Sequence, residues 1–427
     1  MSDQQTDRHG LSRRGFLQGA GTAAMAATLA TGARKARAAN DRLGVGIIGV
    51  GGRGSGHLGI LQHIAKDDKS VEIVAVCDAY RPRMERAMKK TKGKAKGYMD
   101  HKELLADPNV DMVCIATCDH HHGYQVIDAV HAGKHVYCEK PVTHWRQFDL
   151  TKRMAEEVEK SGCAFQLGTQ GMSDSAWHQM HKMVDDGVIG QPIHAETGFF
   201  RVGDWGERGM PIDDPDAKPG PDLNWEAFLG DAPQRDFDVS RFFRWRMYED
   251  YAGGPVTDLY PHTLTPVTSI LGVKWPSVAV ATGGMYRYHE REVPDTFNMI
   301  ADYPEKLSIT VMGTQGNDYQ GTEHRGSGQR VPIIRGWEGA LTVKGEKIVF
   351  IPAHGAKKKE KSFEIEKGEN TLHHWQNLIE CARQGRTDTW SPADLAYYTQ
   401  TALIMAMWSM RQGKTAKFDF ENETIVM

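Results

Sequence analysis

Residues 49–54 read Gly-Val-Gly-Gly-Arg-Gly, which is the G-x-G-x-x-G spacing of a phosphate-binding turn. In such a turn Gly49 permits a tight reversal of the backbone, and Gly51 leaves room for a pyrophosphate to approach. Gly54 lets the following helix pack closely against the preceding strand. The free N–H groups of that helix would then face the phosphates. The pattern therefore predicts a dinucleotide site.

Asp78 lies 24 residues beyond Gly54, a spacing that suits a carboxylate bound to ribose hydroxyls. A carboxylate in this place would repel a 2′-phosphate, so the sequence favours NAD over NADP. Arg53 and Arg81 lie close enough in sequence to weaken that preference.

Three further residues have the chemistry that hydride transfer at an alcohol carbon requires, namely a positive group at the oxygen and a base for its proton. Lys140 stands between Glu139 and a rigid proline. Asp258 and His262 are four residues apart, so on a helical turn both would lie on one face, where the carboxylate can orient the imidazole or share a substrate hydroxyl. His262 is the candidate general acid and base because the ordinary pKa of histidine is near the operating range. A solvated lysine and a structural histidine are the alternatives.

The adjacent residues His120, His121 and His122 suggest a metal site. Three neighbouring side chains cannot face one ion on a regular element, and the run opens a helix, so we expect no metal. The residues expected to bind the cofactor are Gly49, Gly51, Arg53, Gly54, Asp78, Thr117, His122, Glu139, Lys140 and Gln170.

These residues follow apolar segments that alternate with helical patterns, which predicts a doubly wound parallel sheet over residues 41–168. In such a sheet the carboxyl ends of the strands meet at one crevice. The predicted strands are 43–50, Val71–Cys77, Val110–Ala116, His135–Cys138 and Ala164–Leu167, and the later helices are Tyr124–His131 and Phe148–Lys160.

Residues 169–427 carry strand patterns with no long helix between them, which predicts a second domain with an antiparallel sheet. An exposed sheet face is often buried against another subunit, so we expect a homo-oligomer. The stretch 203–255 is long enough to be functional, and its aromatic side chains either stack on a sugar ring or form core. These aromatic residues are Trp205, Trp225, Trp245, Tyr248 and Tyr251.

The composition limits the classes of protein to consider. The chain has 427 residues, a net charge of −3 and 25% charged residues, which is typical of a soluble, two-domain protein and gives no support for nucleic-acid binding. Its six cysteines include no Cys-x-x-Cys pair, so neither zinc nor a redox dithiol is indicated.

The first 38 residues differ from the rest. Arg13 and Arg14 form a twin-arginine pattern, a weakly apolar run follows, and Ala36-Arg37-Ala38 offers a cleavage site. This pattern predicts a twin-arginine signal peptide, recognition by that export machinery, and a soluble periplasmic or otherwise extracytoplasmic product. A disordered basic tail is the alternative.

With these motifs in order, the chain resembles the Gfo/Idh/MocA family of glucose–fructose oxidoreductase and inositol dehydrogenase, in an exported bacterial branch. The resemblance covers nearly the whole chain beyond the signal, although Cys118 stands where many members have proline. It implies a Rossmann domain followed by an α/β domain with an open-faced, mostly antiparallel sheet, and the same trio of Lys140, Asp258 and His262. The matching segments are Gly49–Gly54, Ala116–His120, Ala132–Val136, Cys138–Pro141 and Asp258–His262.

The resemblance implies NAD(H)-dependent hydride transfer at a CH–OH carbon of a sugar, polyol or sugar derivative. An exported enzyme meets little free dinucleotide, so a tightly held NAD is expected. One alternative is an enzyme that cleaves glycosides by transient oxidation and elimination, although relatives of that kind usually carry asparagine where Asp258 stands. A non-catalytic binding protein is the third possibility, and the intact trio speaks against it.

Overall fold

The first sheet is built from apolar runs that are buried on both faces. The computed structural model describes residues 42–69, 71–203, 210–326 and 329–427. Six parallel strands lie in the order β3-β2-β1-β4-β5-β6, so the predicted doubly wound sheet is confirmed. The strand order reverses between β1 and β4, and a ligand crevice opens at such a point. The strands are β1 Leu43–Ile48, β2 Val71–Cys77, β3 Lys96–Tyr98, β4 Met112–Ile115, β5 His135–Cys138 and β6 Phe165–Leu167.

The helices of this part cover the two faces of the sheet. The predicted Tyr124–His131 helix begins earlier, at Asp119, because the three adjacent histidines belong to its first turns. Strand β3 was not predicted, since its three residues sit at the sheet edge and carry no apolar run. The helices are Gly52–Asp67, Arg81–Lys90, His101–Ala106, Asp119–His131 and Phe148–Ser161.

The second sheet has twelve strands, and all its pairs are antiparallel except β7 with β10, so the mostly antiparallel sheet is confirmed. The sequence did not predict β13, whose run is interrupted by Pro332, and the pairing with β7 shifts register between Arg330 and Ile333. A proline inside a sheet is tolerated at such irregularities. The strands are β7 Pro192–Val202, β8 Val278–Gly284, β9 Thr296–Tyr303, β10 Leu307–Thr314, β11 Gly316–Asn317, β12 His324–Arg325, β13 Gln329–Gly336, β14 Gly339–Lys344, β15 Lys347–Pro352, β16 Lys361–Glu364, β17 Ala416–Asp419 and β18 Thr424–Val426.

A long helix, Tyr260–Leu271, separates β7 from β8, so the expectation of strands without an intervening long helix is wrong there. The helix is buried on nearly all sides and contains two prolines, so it shows no amphipathic period. The further helices are Ser175–Asp185, Trp225–Leu229, Val239–Phe243, Pro255–Asp258, Thr371–Gln384 and Ala393–Gln412, with short 3-10 helices at Gln170–Ser173 and Trp245–Met247.

The two C-terminal helices join the two sheets. Trp375, on the helix Thr371–Gln384, is fully buried and stacks on Tyr137 of β5 with 4.2 Å between ring centroids. The helix Ala393–Gln412 adds Ala396 to the first core and Leu403 to the core beneath the second sheet. The crevice between the sheets is therefore framed by elements distant in sequence.

None of the helices within the described residues is long and apolar enough to cross a bilayer. The six cysteines are buried and unpaired with one another. The predicted signal, residues 1–38, and Trp205 lie outside the described residues.

Candidate active site

The glycine turn adopts the geometry that its sequence predicts. Gly49 has a positive φ of 83°, and its N–H donates to the Cys77 carbonyl at 2.8 Å. A Cβ on Gly54 would lie 1.8 Å from the carbonyl oxygen of Gly49. Glycine at both positions is therefore required by the close approach of strand and helix.

The helix that follows the turn has an open N-terminus. No side chain caps it and no acidic residue lies in its first turn. A Cβ on Gly51 would meet nothing closer than the Arg83 guanidinium, at 3.5 Å. Free N–H groups beside an uncluttered backbone fit the pyrophosphate of a dinucleotide, so these residues suit NAD.

Asp78 lies directly after β2 and is buried. Its carboxylate accepts the N–H groups of Val50 and Tyr80, each at 2.9 Å, and so ties the glycine turn to the next loop. Burial raises the pKa of Asp78, against the opposing charge of Arg83. The acid is thus held at the crevice edge where the ribose prediction requires it.

The arginines considered near Asp78 point elsewhere. Arg53 Nε donates to Glu139 at 2.7 Å, and Arg81 pairs with Asp222 at 2.8 Å on the surface. The guanidinium beside Asp78 and Gly51 is that of Arg83, which the sequence did not single out.

Glu139 is buried beneath the glycine turn in a chain of hydrogen bonds. Its Oε1 lies 2.7 Å from Arg53 Nε and 2.8 Å from His57 Nε2. Trp375 Nε1 donates to His57 Nδ1 at 2.9 Å, so the histidine proton must be on Nε2, where it is donated to Glu139. Burial alone would raise the pKa of Glu139, but Arg53 and His57 bring it well below its usual value. Glu139 therefore supports the turn from below.

Lys140 and Asp258 meet across the two parts of the chain. Lys140 Nζ donates to the Asp258 carbonyl at 2.6 Å and to its Oδ1 at 2.7 Å. Burial alone would raise the pKa of Asp258. The charges of Lys140, Arg246 and Arg201 outweigh that effect and lower it. This carboxylate is ionised at neutral pH.

His262 lies in the first turn of the helix Tyr260–Leu271 and is 9% exposed. The expectation that Asp258 orients its imidazole is wrong, because the Asp258 carboxylate bonds Lys140 and Arg201, and His262 Nδ1 has no partner among the described residues. Burial, then the charge of Lys140, lower the pKa of His262 to about 3. The ring is neutral, so the argument from an ordinary pKa fails in this fold.

The other predicted residues lie at the same ends of the strands. Thr117 Oγ1 bonds Gln125 at 2.7 Å, and His122 lies between the carbonyls of Pro141 and Thr117, at 2.6 and 3.2 Å. Gln170 is buried and its Oε1 has no partner among the described residues.

The remaining histidines of the run face backbone. His120 and His121 both direct Nε2 to the Phe228 carbonyl, at 2.9 and 2.7 Å. Among the described residues no group of three or more His, Cys, Asp or Glu side chains is arranged to hold a metal.

Besides Arg83, the sequence did not single out three residues around the Lys140–Asp258 pair. Arg201 Nη2 lies 3.4 Å from Asp258 Oδ2, and Arg246 Nε lies 3.6 Å from its Oδ1. Burial raises the pKa of Asp119 to about 7, against the opposing charges of Arg246 and Lys140. Asp119 stood in a segment quoted for the resemblance, but the arginines lie on β7 and in the 203–255 stretch, where no motif marks them.

The aromatic stretch forms a small core of its own. Trp225 stacks on Phe228 at 5.0 Å and is buried with Tyr251, so these two serve the core rather than an open sugar face. Backbone bonds from Arg81 to Asp222 and from Asn224 to Ala79 fasten the stretch to the loop after β2. It therefore covers one side of the crevice.

The chain is similar in sequence or in fold to known dehydrogenases. Inositol 2-dehydrogenase of Salmonella typhimurium is 34% identical over 152 residues, which is 35% of this chain and 44% of that protein, so the chain spans less than half the length of such relatives. The scyllo-inositol 2-dehydrogenase (NAD(+)) of Bacillus subtilis is 24% identical over 379 residues, 87% of this chain and 95% of its own. Levoglucosan dehydrogenase, solved with NADH and levoglucosan, shares the fold with a TM-score of 0.66 at 16% identity, covering 88% of this chain and 99% of its own.

Family-level matches cover most of the chain. Residues 43–169 match the NAD-binding Rossmann fold of the GFO_IDH_MocA oxidoreductase family. Residues 173–280 and 232–418 match two forms of its C-terminal alpha/beta domain. The chain therefore belongs to the GFO_IDH_MocA family of oxidoreductases.

Proposed function

We propose that the protein is an NAD(H)-dependent oxidoreductase that transfers hydride at a CH–OH carbon of a sugar or polyol. The observation that carries the proposal is the Lys140–Asp258 pair, 2.7 Å apart, which lies with His262 at the same edge of the sheet as the glycine turn. Relatives named inositol dehydrogenase support a polyol or sugar as substrate.

Each side chain has a role that follows from its surroundings. Lys140 Nζ donates to the substrate oxygen and stabilises negative charge on it. Asp258 holds that ammonium in place. The buried Nδ1 of His262 leaves Nε2 as the nitrogen that meets the hydroxyl, and the neutral ring accepts its proton. A bound nicotinamide supplies the hydride acceptor.

Lys140→Met tests the site directly. We expect kcat to fall by about 100-fold or more, as loss of a proton-transfer or oxyanion group does. NADH binding, followed by fluorescence, should weaken far less than kcat falls, because the glycine turn and Asp78 remain in place. Lys160→Met is the matched control, since Lys160 is 64% exposed on a distant helix. NADH formation from a sugar and polyol panel that is unaffected by Lys140→Met would contradict the proposal.

The same assay separates the dehydrogenase from the glycoside-cleaving alternative. Stoichiometric NADH without release of an aryl leaving group is the result we expect. Leaving-group release without net NADH would contradict net oxidation and assign the glycosidase chemistry.

Export and assembly are part of the proposal. Arg13→Lys with Arg14→Lys should retain the protein in the cytoplasm if the twin-arginine signal operates. Val280 and Ile300 are paired neighbours on the outer face of the second sheet, 40% and 48% exposed, which supports self-association there. Light scattering of the purified protein tests for a homo-oligomer, and NAD retained through purification tests for a tightly held cofactor.

A further inference from the structure

The charges around Asp258 do not balance. Three cationic side chains, Lys140, Arg201 and Arg246, surround this one carboxylate. Two other acids act on this group: Glu139 is ionised but already paired with Arg53, and Asp119, whose burial raises its pKa to about 7, is only partly ionised at neutral pH. His262 is neutral. The described residues therefore leave the cluster with an excess of positive charge.

The two arginines also have unused hydrogen-bonding capacity. Their contacts to Asp258, 3.4 and 3.6 Å, are longer than the ~2.7–2.9 Å of a charge-assisted bond. Arg201 Nε is buried with no partner among the described residues. Arg246 lies over the Trp245 ring at 4.2 Å and near Met210 sulfur at 3.8 Å, neither of which neutralises it.

Both arginine side chains keep part of their surface exposed. The side chain of Arg201 is 21% exposed and that of Arg246 is 23% exposed. Arg201 is held by β7 and Arg246 by a 3-10 helix, so they lie on the second-domain side of the Lys140–Asp258 pair. Partly buried, positioned guanidinium pairs suit a planar carboxylate.

We infer that the substrate carries a carboxylate, as a sugar acid does, and that Arg201 and Arg246 bind it. This inference rests on the proposed function for the position of the reacting carbon. A carboxylate here also offsets the charge of Lys140, one of the causes that keep His262 a weak base. The substrate would thus complete the site electrostatically.

The test compares neutral sugars and polyols with the corresponding uronates, aldonates and phosphate esters. We expect kcat/KM to favour a carboxylate by about 10-fold or more, the effect of one to two charged hydrogen bonds. Arg201→Gln and Arg246→Gln should each lower the ratio of kcat/KM for the acid to kcat/KM for its neutral counterpart by about 10-fold. Arg335→Gln is the control, because it removes a charge from the same sheet without contact to Asp258.

Two further readouts keep the outcomes apart. If a variant does not fold, KM of the native enzyme for the acid should rise with ionic strength while that of a neutral sugar does not. Preferred oxidation of neutral sugars or phosphate esters would overturn the inference and leave the dehydrogenase standing. If no substrate is oxidised, the proposed function fails. Stabilisation of the NADH complex against unfolding by D-glucuronate or D-gluconate would then still support the carboxylate site, provided that this stabilisation is lost in Arg201→Gln. If neither oxidation nor that stabilisation is seen, the carboxylate site and the proposed function are both overturned.

Discussion

Replacing His374 with leucine should make the protein more resistant to acid. His374 is fully buried, and neither ring nitrogen has a partner among the described residues. Burial lowers its pKa from 6.5 to about 3. Below pH 6.5 the unfolded chain therefore takes up a proton that the folded ring refuses, and stability is lost as the pH falls toward that lower value.

The size of the effect follows from the shift. The buried histidine costs about 1.4 kcal/mol at one pH unit below 6.5 and about 2.7 kcal/mol at two. Leucine removes this cost. It also removes an unpaired buried N–H, worth about 1–3 kcal/mol at any pH. The free energy of unfolding of His374→Leu minus that of the native protein should thus be positive and should grow as the pH falls.

Urea unfolding at several pH values between about 7.5 and about 4.5, followed by tryptophan fluorescence, measures this difference. His63→Leu is the control for loss of an exposed histidine, since the His63 side chain is 62% exposed. A difference for His374→Leu that stays constant across this range would refute the reasoning from burial.

Two substitutions at the glycine turn test its construction. Gly54→Ala should weaken NADH binding by about 10-fold or more and destabilise the fold by about 1–3 kcal/mol, because the added Cβ would lie 1.8 Å from the Gly49 carbonyl oxygen. Gly59→Ala on the same helix is the control. A Cβ there would have nothing within 4 Å, so this variant should stabilise the fold by up to ~1 kcal/mol. Equal NADH affinities for Gly54→Ala and Gly59→Ala would contradict this reading of the turn. Glu139→Gln should cost about 2 kcal/mol in urea unfolding, since it leaves Arg53 without its buried partner. The pKa of Glu139 is lower in the folded protein than in the unfolded chain. The destabilisation by Glu139→Gln should therefore be fully present above pH 4.5 and shrink as the pH falls through the folded-state pKa. A destabilisation that does not vary with pH would contradict the ion pair.

Local sequence determined the cofactor turn and, except for β3, the strands of the first sheet. Buried parallel strands are continuous apolar runs in the sequence. The turn needs glycine at position 49 for its positive φ and at position 54 for the close contact with the Gly49 carbonyl, so the spacing of the glycines identifies it. The position of Lys140 at a strand end follows from the same pattern, so its arrival in the crevice needed no coordinates. The helix Tyr260–Leu271 and strand β13 were missed because burial on all sides and an internal proline erase the periodicities that identify elements.

Only the tertiary structure decided which charges meet. Arg201 and Arg246 are 57 and 12 residues from Asp258, and no local rule brings them to one carboxylate. The same holds for Trp375, which fixes the proton of His57 from 318 residues away. His262 was identified by its spacing, but its pKa depends on burial and on Lys140, which are properties of the packed chain. The conformation of a segment can be predicted from its own sequence, whereas electrostatic interactions depend on distances between segments that only the folded chain fixes.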